Sequence, residues 1–213
     1  MDRFLLGLIL AVLLSSACSE PGIDREALVK RHIPTLSEVD TLSPFTVGNG
    51  EFAFTADVTG LQTFPEYYEE GIHLGTQSQW GWHSVPNDHN YRLEDTFEYF
   101  DTHGREVPYA SKQRSDAGEW LRSNPHRLHL GTIGLDIAKS SQAKIQPSDV
   151  HDIEQKANIW EGIISSRFRI ENQPFAVETA CHPRKDLIAV RIGSEFLQNG
   201  NTAIKFDFPY GSL

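Results

Sequence analysis

Along most of this 213-residue chain apolar side chains recur at every second position, so the dominant expectation is strand. Phe52, Phe54, Ala56 and Val58 fall on one face of an extended segment, with Ala53, Thr55 and Asp57 on the other. That is the pattern of a half-buried antiparallel strand, and Gly60 ends it. Leu128 and Leu130 hold one phase while Ile133, Leu135 and Ile137 hold the opposite one, so the change at Gly131 predicts a β-bulge. Ile164, Ser166, Phe168 and Ile170, the turn Glu171-Asn172-Gln173-Pro174, and then Phe175, Val177, Thr179 and Cys181 spell out a hairpin. Ile188, Val190 and Ile192 continue it, and Ile204, Phe206 and Phe208 form a last strand beyond a turn at residues 198–201. Residues 86–125 break this rhythm. They are polar, carry Pro86, Pro108 and Pro125 and a DTHG turn at 101–104, and predict a long excursion with short strands.

One helix is expected, near the N-terminus. Asp24 stands as its N-cap, Ile23 and Leu28 as a hydrophobic staple, and Pro34 stops it after His32. The fold class predicted is therefore all-β, an antiparallel β-sandwich with one short N-terminal helix. Residues 1–18 form a leader, 19–34 a tether and the helix, and 35–213 the sandwich. The chain stops at Phe208-Pro209-Tyr210-Gly211-Ser212-Leu213, directly after an apolar strand. An incomplete sandwich, truncated from a longer protein, is the expectation, with open strand edges and uncovered apolar surface that favour association and marginal folding.

The leader has Arg3, an apolar run from Phe4 to Leu14, and the small residues Ser15, Ser16 and Ala17 before Cys18. The run is too short to span a bilayer, which takes about 20 apolar residues. A small residue directly before a cysteine resembles a bacterial lipoprotein signal, in which Cys18 would be lipidated. The usual Leu three places before that cysteine is here Ser15. Export across an inner membrane follows, to the periplasm or to the outer membrane, with the membrane reached only through the lipid anchor. Ordinary secretion is the alternative. If Cys18 carries lipid, Cys181 has no disulfide partner, and its place in the apolar alternation makes it a buried, inert thiol.

A formal net charge of −10 and the lack of a basic stripe argue against a nucleic-acid partner. Nine histidines show no HExxH or comparable metal-ligand spacing, and His126 and His129 would fall on opposite faces of a straight strand. No metal and no cofactor are expected. A Gly-x-Ser-x-Gly elbow is also missing. Gly48-Asn49-Gly50 precedes a strand instead of a helix, so it reads as a turn and not as a phosphate cradle.

Chemistry concentrates between Gln77 and Asn87. Trp80 and Trp82 flank Gly81, and in an extended segment both rings would point the same way and make a flat apolar face. Sugars lay their C–H faces on such rings while their hydroxyls bond polar neighbours, here Gln77, Gln79, His83 and Asn87. The competing reading makes both tryptophans core residues. Glycoside hydrolysis needs two carboxylates at set separations. Asp57, Glu66, Glu69 and Glu70 are available, but a solvated acidic loop explains Glu66-Tyr67-Tyr68-Glu69-Glu70 equally well.

Taken together, VGNGEFAFTADVTG, TQSQWGWHSVPN, NPHRLHLGTIGLDI, WEGIISSRFRI, VETACHPRKDLIAVRI and FDFPYGS, in this order, resemble the N-terminal β-sandwich region of bacterial proteins related to glycoside hydrolase family 65. Those are six-hairpin glycosidases in which a sandwich precedes an (α/α)6 barrel. The resemblance runs from about Leu28 to Leu213. It implies catalytic carboxylates in the barrel, so no catalytic residue is transferred to this chain. It also implies that sandwich loops pack on the barrel, with residues 76–87 bordering its sugar site. The expected role is a non-catalytic support domain of a secreted or lipid-anchored glycosidase, its partners being carbohydrate and the downstream barrel. The alternatives are an autonomous carbohydrate-binding lipoprotein and a purely structural interaction module.

Overall fold

The computed structural model describes residues 22–208 apart from Pro125 and Asn199. The leader, Cys18 and the last five residues lie outside them. The fold is all-β and sandwich-like, as the period of two predicts. Helix α1, Arg25–Lys30, is capped by the Asp24 side chain, which accepts from the Ala27 N–H at 3.0 Å. Among the described residues fourteen strands follow in chain order: β1 Thr35–Leu36, β2 Phe45–Gly48, β3 Phe52–Ala56, β4 Thr76–Ser78, β5 Trp82–His83, β6 Phe97–Thr102, β7 Arg105–Ala110, β8 His126–Arg127, β9 Thr132–Ile137, β10 His151–Asn158, β11 Ile163–Ile170, β12 Gln173–Cys181, β13 Ile188–Gly193 and β14 Thr202–Asp207. A second helix, α2, spans Asp116–Arg122 inside the excursion that was expected to hold only short strands. Ser115 caps it by accepting from the Gly118 N–H, a signal masked by the prolines around it.

The first layer is a five-stranded antiparallel sheet in the order β1-β10-β11-β12-β13. Its middle is the expected hairpin, closed by Glu171 and Asn172, both at positive φ. Phe168 and Phe175 face each other across it, stacked with ring centroids 5.1 Å apart, and Phe196 meets Phe175 edge-on. Each such ring contributes about 1.5–3 kcal/mol by burial. The opposing layer is built from the sheet β2-β3-β4 and the pair β9-β14. Val47, Phe54 and Ala56 from the first of these and Leu135 and Ile137 from the second meet Ile164, Ile170 and Val177 in one core.

The two layers are joined by the loop Asp57-Val58-Thr59-Gly60-Leu61-Gln62-Thr63-Phe64. Strand β3 ends at Ala56, so Asp57 does not face solvent as alternation predicted; it is fully buried. One carboxylate oxygen accepts from the Thr59 N–H and hydroxyl at 2.8 and 2.6 Å, and the other from the Thr63 and Phe64 N–H groups at 2.7 and 2.9 Å. The loop then bonds outward. Gln155 donates to the Asp57 carbonyl at 2.7 Å and Thr179 to the Gly60 carbonyl at 2.6 Å, which ties it to the five-stranded sheet. Gln62 reaches the other layer, donating to the Thr55 carbonyl and accepting from the Ile133 N–H and the Thr76 hydroxyl.

Gly131, at φ +138°, does not form the expected bulge. The chain there changes sheet: β8 pairs with β5, and β9 pairs with β14. A Cβ on Gly131 would lie 2.8 Å from the Asp207 carbonyl and 2.8 Å from the Phe208 ring, so the close approach of β14 requires glycine.

Burial pushes the Asp57 carboxyl up to about 6 from its ordinary 3.8, against the four hydrogen bonds that pull it down. Between about pH 4 and 6 the unfolded chain has lost this proton while the folded chain keeps it. Stability therefore falls as pH rises through that window, by about 3 kcal/mol for this group, and levels off above it. Asp57→Asn removes this pH segment. It also sets an amide donor against buried N–H groups that need an acceptor, costing roughly 2–5 kcal/mol. Urea unfolding of both proteins from pH 3.5 to 7.5 measures each effect.

Candidate functional site

The tryptophan loop follows β4, and its backbone is fixed at each step. The Gly81 N–H donates to the Ser78 carbonyl at 3.2 Å, which closes a turn around Gln79 and Trp80. Trp80 therefore is not in an extended segment, and the geometry that would align its ring with that of Trp82 does not hold. Trp82 and His83 form β5, where Trp82 lies opposite Arg127 and His83 opposite His126. Gly81 is buried beneath this turn, its absent Cβ replaced by Leu130, whose Cδ2 would sit 2.9 Å away.

Both tryptophans are exposed, Trp80 by 62% and Trp82 by 55%, so neither is a core residue. Trp80 is nevertheless held. Its indole N–H donates to Asp186 Oδ2 at 2.7 Å, and the Ser78 hydroxyl donates to the same oxygen at 2.5 Å. Asp186 comes from the loop between β12 and β13. That loop is fastened in turn by Asn49, whose side-chain N–H group donates to the His182 and Lys185 carbonyls while its oxygen accepts from the Glu51 and Phe52 N–H groups. The Gly48-Asn49-Gly50 segment is thus the expected turn, and it also anchors a neighbouring loop. Arg127 completes the frame by donating to the Gln79 carbonyl at 2.8 Å.

The structure thus brings Gln77, Gln79, Trp80, Trp82 and His83 to one end of the sandwich, all exposed. The Asn87 side chain donates to the Tyr91 carbonyl and accepts from the Tyr91 N–H, so its amide is engaged in its own turn. That turn leads to an aromatic group in which Tyr91 lies between His89 and Trp120. Asp186 and Arg127 were missed by sequence reasoning. Nothing local marks them, because their roles depend on partners 106 and 48 residues away.

The carboxylates do not converge on this loop. Asp57 is buried in the interlayer loop, and Glu66, Glu69 and Glu70 are exposed around a short 3-10 helix that the buried Tyr68 anchors. Glu66 instead lines a cleft of about 550 Å³ with Tyr67, Asp136, Lys144 and Lys205. Among the described residues no three His, Cys, Asp or Glu side chains come together as a metal site, and no helix is long and apolar enough to cross a membrane. His129 turns to the backbone of Thr76. Cys181 is partly buried, and desolvation followed by the nearby Asp186 charge pushes its thiol up, which keeps it protonated and poorly nucleophilic.

Compared with protein-family models, curated proteins and solved structures, the chain gives no match.

Exposure and anchoring of Trp80 make separate expectations. Acrylamide should quench a large part of the tryptophan emission, and the double variant Trp80→Phe/Trp82→Phe should lose a substantial share of the quenchable component, the remainder coming chiefly from Trp160, which is 48% exposed. Asp186→Ala should leave the fold intact but lower the fluorescence anisotropy of Trp80, measured in a variant that keeps Trp80 as its sole tryptophan.

Proposed function

We propose that this chain is a non-catalytic β-sandwich domain of an exported glycosidase, and that its Gln77–His83 loop contacts carbohydrate. One observation carries this reading: two large aromatic side chains are left in solvent at a rigid end of the sandwich, one of them oriented by a carboxylate from a distant loop. Leaving such apolar rings uncovered has a cost that a ligand or a partner surface would offset. Sugars suit this surface, since their C–H faces stack on indole and their hydroxyls find Gln77, Gln79 and His83 nearby. The resemblance to the N-terminal sandwich of six-hairpin glycosidases supports the same reading. Strand β14 leads toward this end of the sandwich, with Phe208 against Gly131 and the adjacent Leu130 against Gly81. A helical barrel that follows in the gene would therefore sit beside the loop and would supply the bond-breaking carboxylates. Export with lipidation at Cys18 completes the proposal.

Titrating the purified chain with a panel of neutral oligosaccharides while following tryptophan emission tests the contact. A saturable change is expected for at least one sugar, and Trp80→Ala or Trp82→Ala should weaken it about tenfold, the loss of one stacked ring. A flat response across the panel removes the carbohydrate role. The genomic reading frame beyond Leu213 tests the architecture separately: a coding region for a helical barrel is expected, and a stop codon there leaves only an autonomous binding domain.

A further inference from the structure

Strand β14 is the edge of its sheet, and its outward side is unpaired among the described residues. The direction of its backbone groups follows from β9. Ile133 exchanges both of its backbone hydrogen bonds with Gln62, and the Leu135 N–H donates to the Thr63 hydroxyl, so these residues bond away from β14. The ladder between the two strands therefore runs through Gly134 and Thr132, opposite Lys205 and Asp207. The N–H and C=O groups of Ile204 and Phe206 point outward. Their side chains, with that of Phe208, are also uncovered: Ile204 is 41%, Phe206 59% and Phe208 74% exposed. A flat, apolar edge of this kind is a template for another strand.

The sequence of the edge favours one occupant. Ile204-Lys205-Phe206-Asp207-Phe208 is self-complementary when run antiparallel to itself about Phe206. Ile204 then faces Phe208 of the second copy, Phe206 faces its own twin, and Lys205 faces Asp207 in both directions. Shifting the two-fold axis by one residue either way places Lys205 against Lys205 or Asp207 against Asp207, and like charges directly opposite are destabilising. Within a single copy Lys205 and Asp207 are 3.7 Å apart and largely exposed, so both remain available for this exchange.

We propose that β14 pairs with β14 of a second copy of this chain, antiparallel and centred on Phe206, to give an isologous dimer with a continuous four-stranded β9-β14-β14-β9 sheet. This rests on the edge geometry and is independent of the carbohydrate reading. The contact is small, so association is weak and depends on concentration.

Sedimentation equilibrium of the purified chain at low ionic strength, from roughly 1 to 300 µM, the range suited to a small interface, measures it. A monomer–dimer equilibrium is expected. Lys205→Asp and Asp207→Lys should each weaken it about tenfold or more, because each sets two like-charged pairs across the axis. Mixing the two variants in equal amounts should restore dimers, now heterodimers, since every pair across the axis is again opposite in sign. That recovery also shows both variants to be folded. A wild-type chain that stays monomeric throughout overturns the proposal, with β14 amides protected from hydrogen exchange pointing to an intramolecular cover. Single variants that dimerise like wild type, or a mixture that does not recover, overturn it as well.

Discussion

The structure depends on a carboxylate buried where a β-sandwich would ordinarily place an apolar side chain. Asp57 accepts four hydrogen bonds from its own loop, and that loop then bonds both layers, through Gln155 and Thr179 on one side and Gln62 on the other. A buried charge without partners would be strongly unfavourable, and four donors aimed at it, two on each oxygen, offset part of the water it gives up, so that burial still raises the carboxyl. The polar residues Gln155, Ser166 and Thr179 on the inner face of the five-stranded sheet make sense only as the complement of this loop. Gly60 belongs to the same arrangement, since at φ +82° a Cβ would come within 3.0 Å of both Ser166 and Val177. The register of the layers is thereby specified by directional bonds as well as by hydrophobic burial.

This rigidity reaches the tryptophan loop by short steps. Gln62 and Thr76 bond each other beneath β4, the Leu130 N–H donates to the Thr76 carbonyl, and Leu130 fills the space above Gly81. From the other direction Asn49 fixes the loop that carries Asp186, and Asp186 fixes Trp80. An exposed aromatic held from two sides loses little conformational entropy when it meets a ligand, which is the advantage of a preformed surface over a mobile one. The uncovered β14 edge has a different character. Its hydrogen-bonding groups are unmet by the described part of the chain, so it is suited to pairing with another strand and not to stacking a small molecule.

Much of this was legible in the sequence, and the parts that were not share a cause. Alternation located β3, β11, β12, β13 and β14, turn chemistry located the 171–172 hairpin and the Gly48-Asn49-Gly50 turn, and the Asp24 cap located α1. Strand β10 escaped because its alternating positions, Ile153, Gln155 and Ala157, include a buried glutamine in place of an apolar residue. Asp57 was misplaced for a related reason: alternation assumes the strand continues, and here it ends one residue earlier. Gly131 marked a real discontinuity, but whether a phase change means a bulge or a change of sheet is decided by which strand comes alongside.

What the sequence determined by itself was therefore local: the period of two, the turns, the cap, and the unusual density of Trp80, Gly81, Trp82 and His83. The tertiary structure alone decided that both tryptophans stay in solvent, that Asn87 is spent on its own turn, and that Asp186 and Arg127 join the site. Side-chain periodicity and turn propensity are properties of neighbouring residues. Burial, and the choice of a hydrogen-bonding partner 106 residues away, are properties of how whole layers pack.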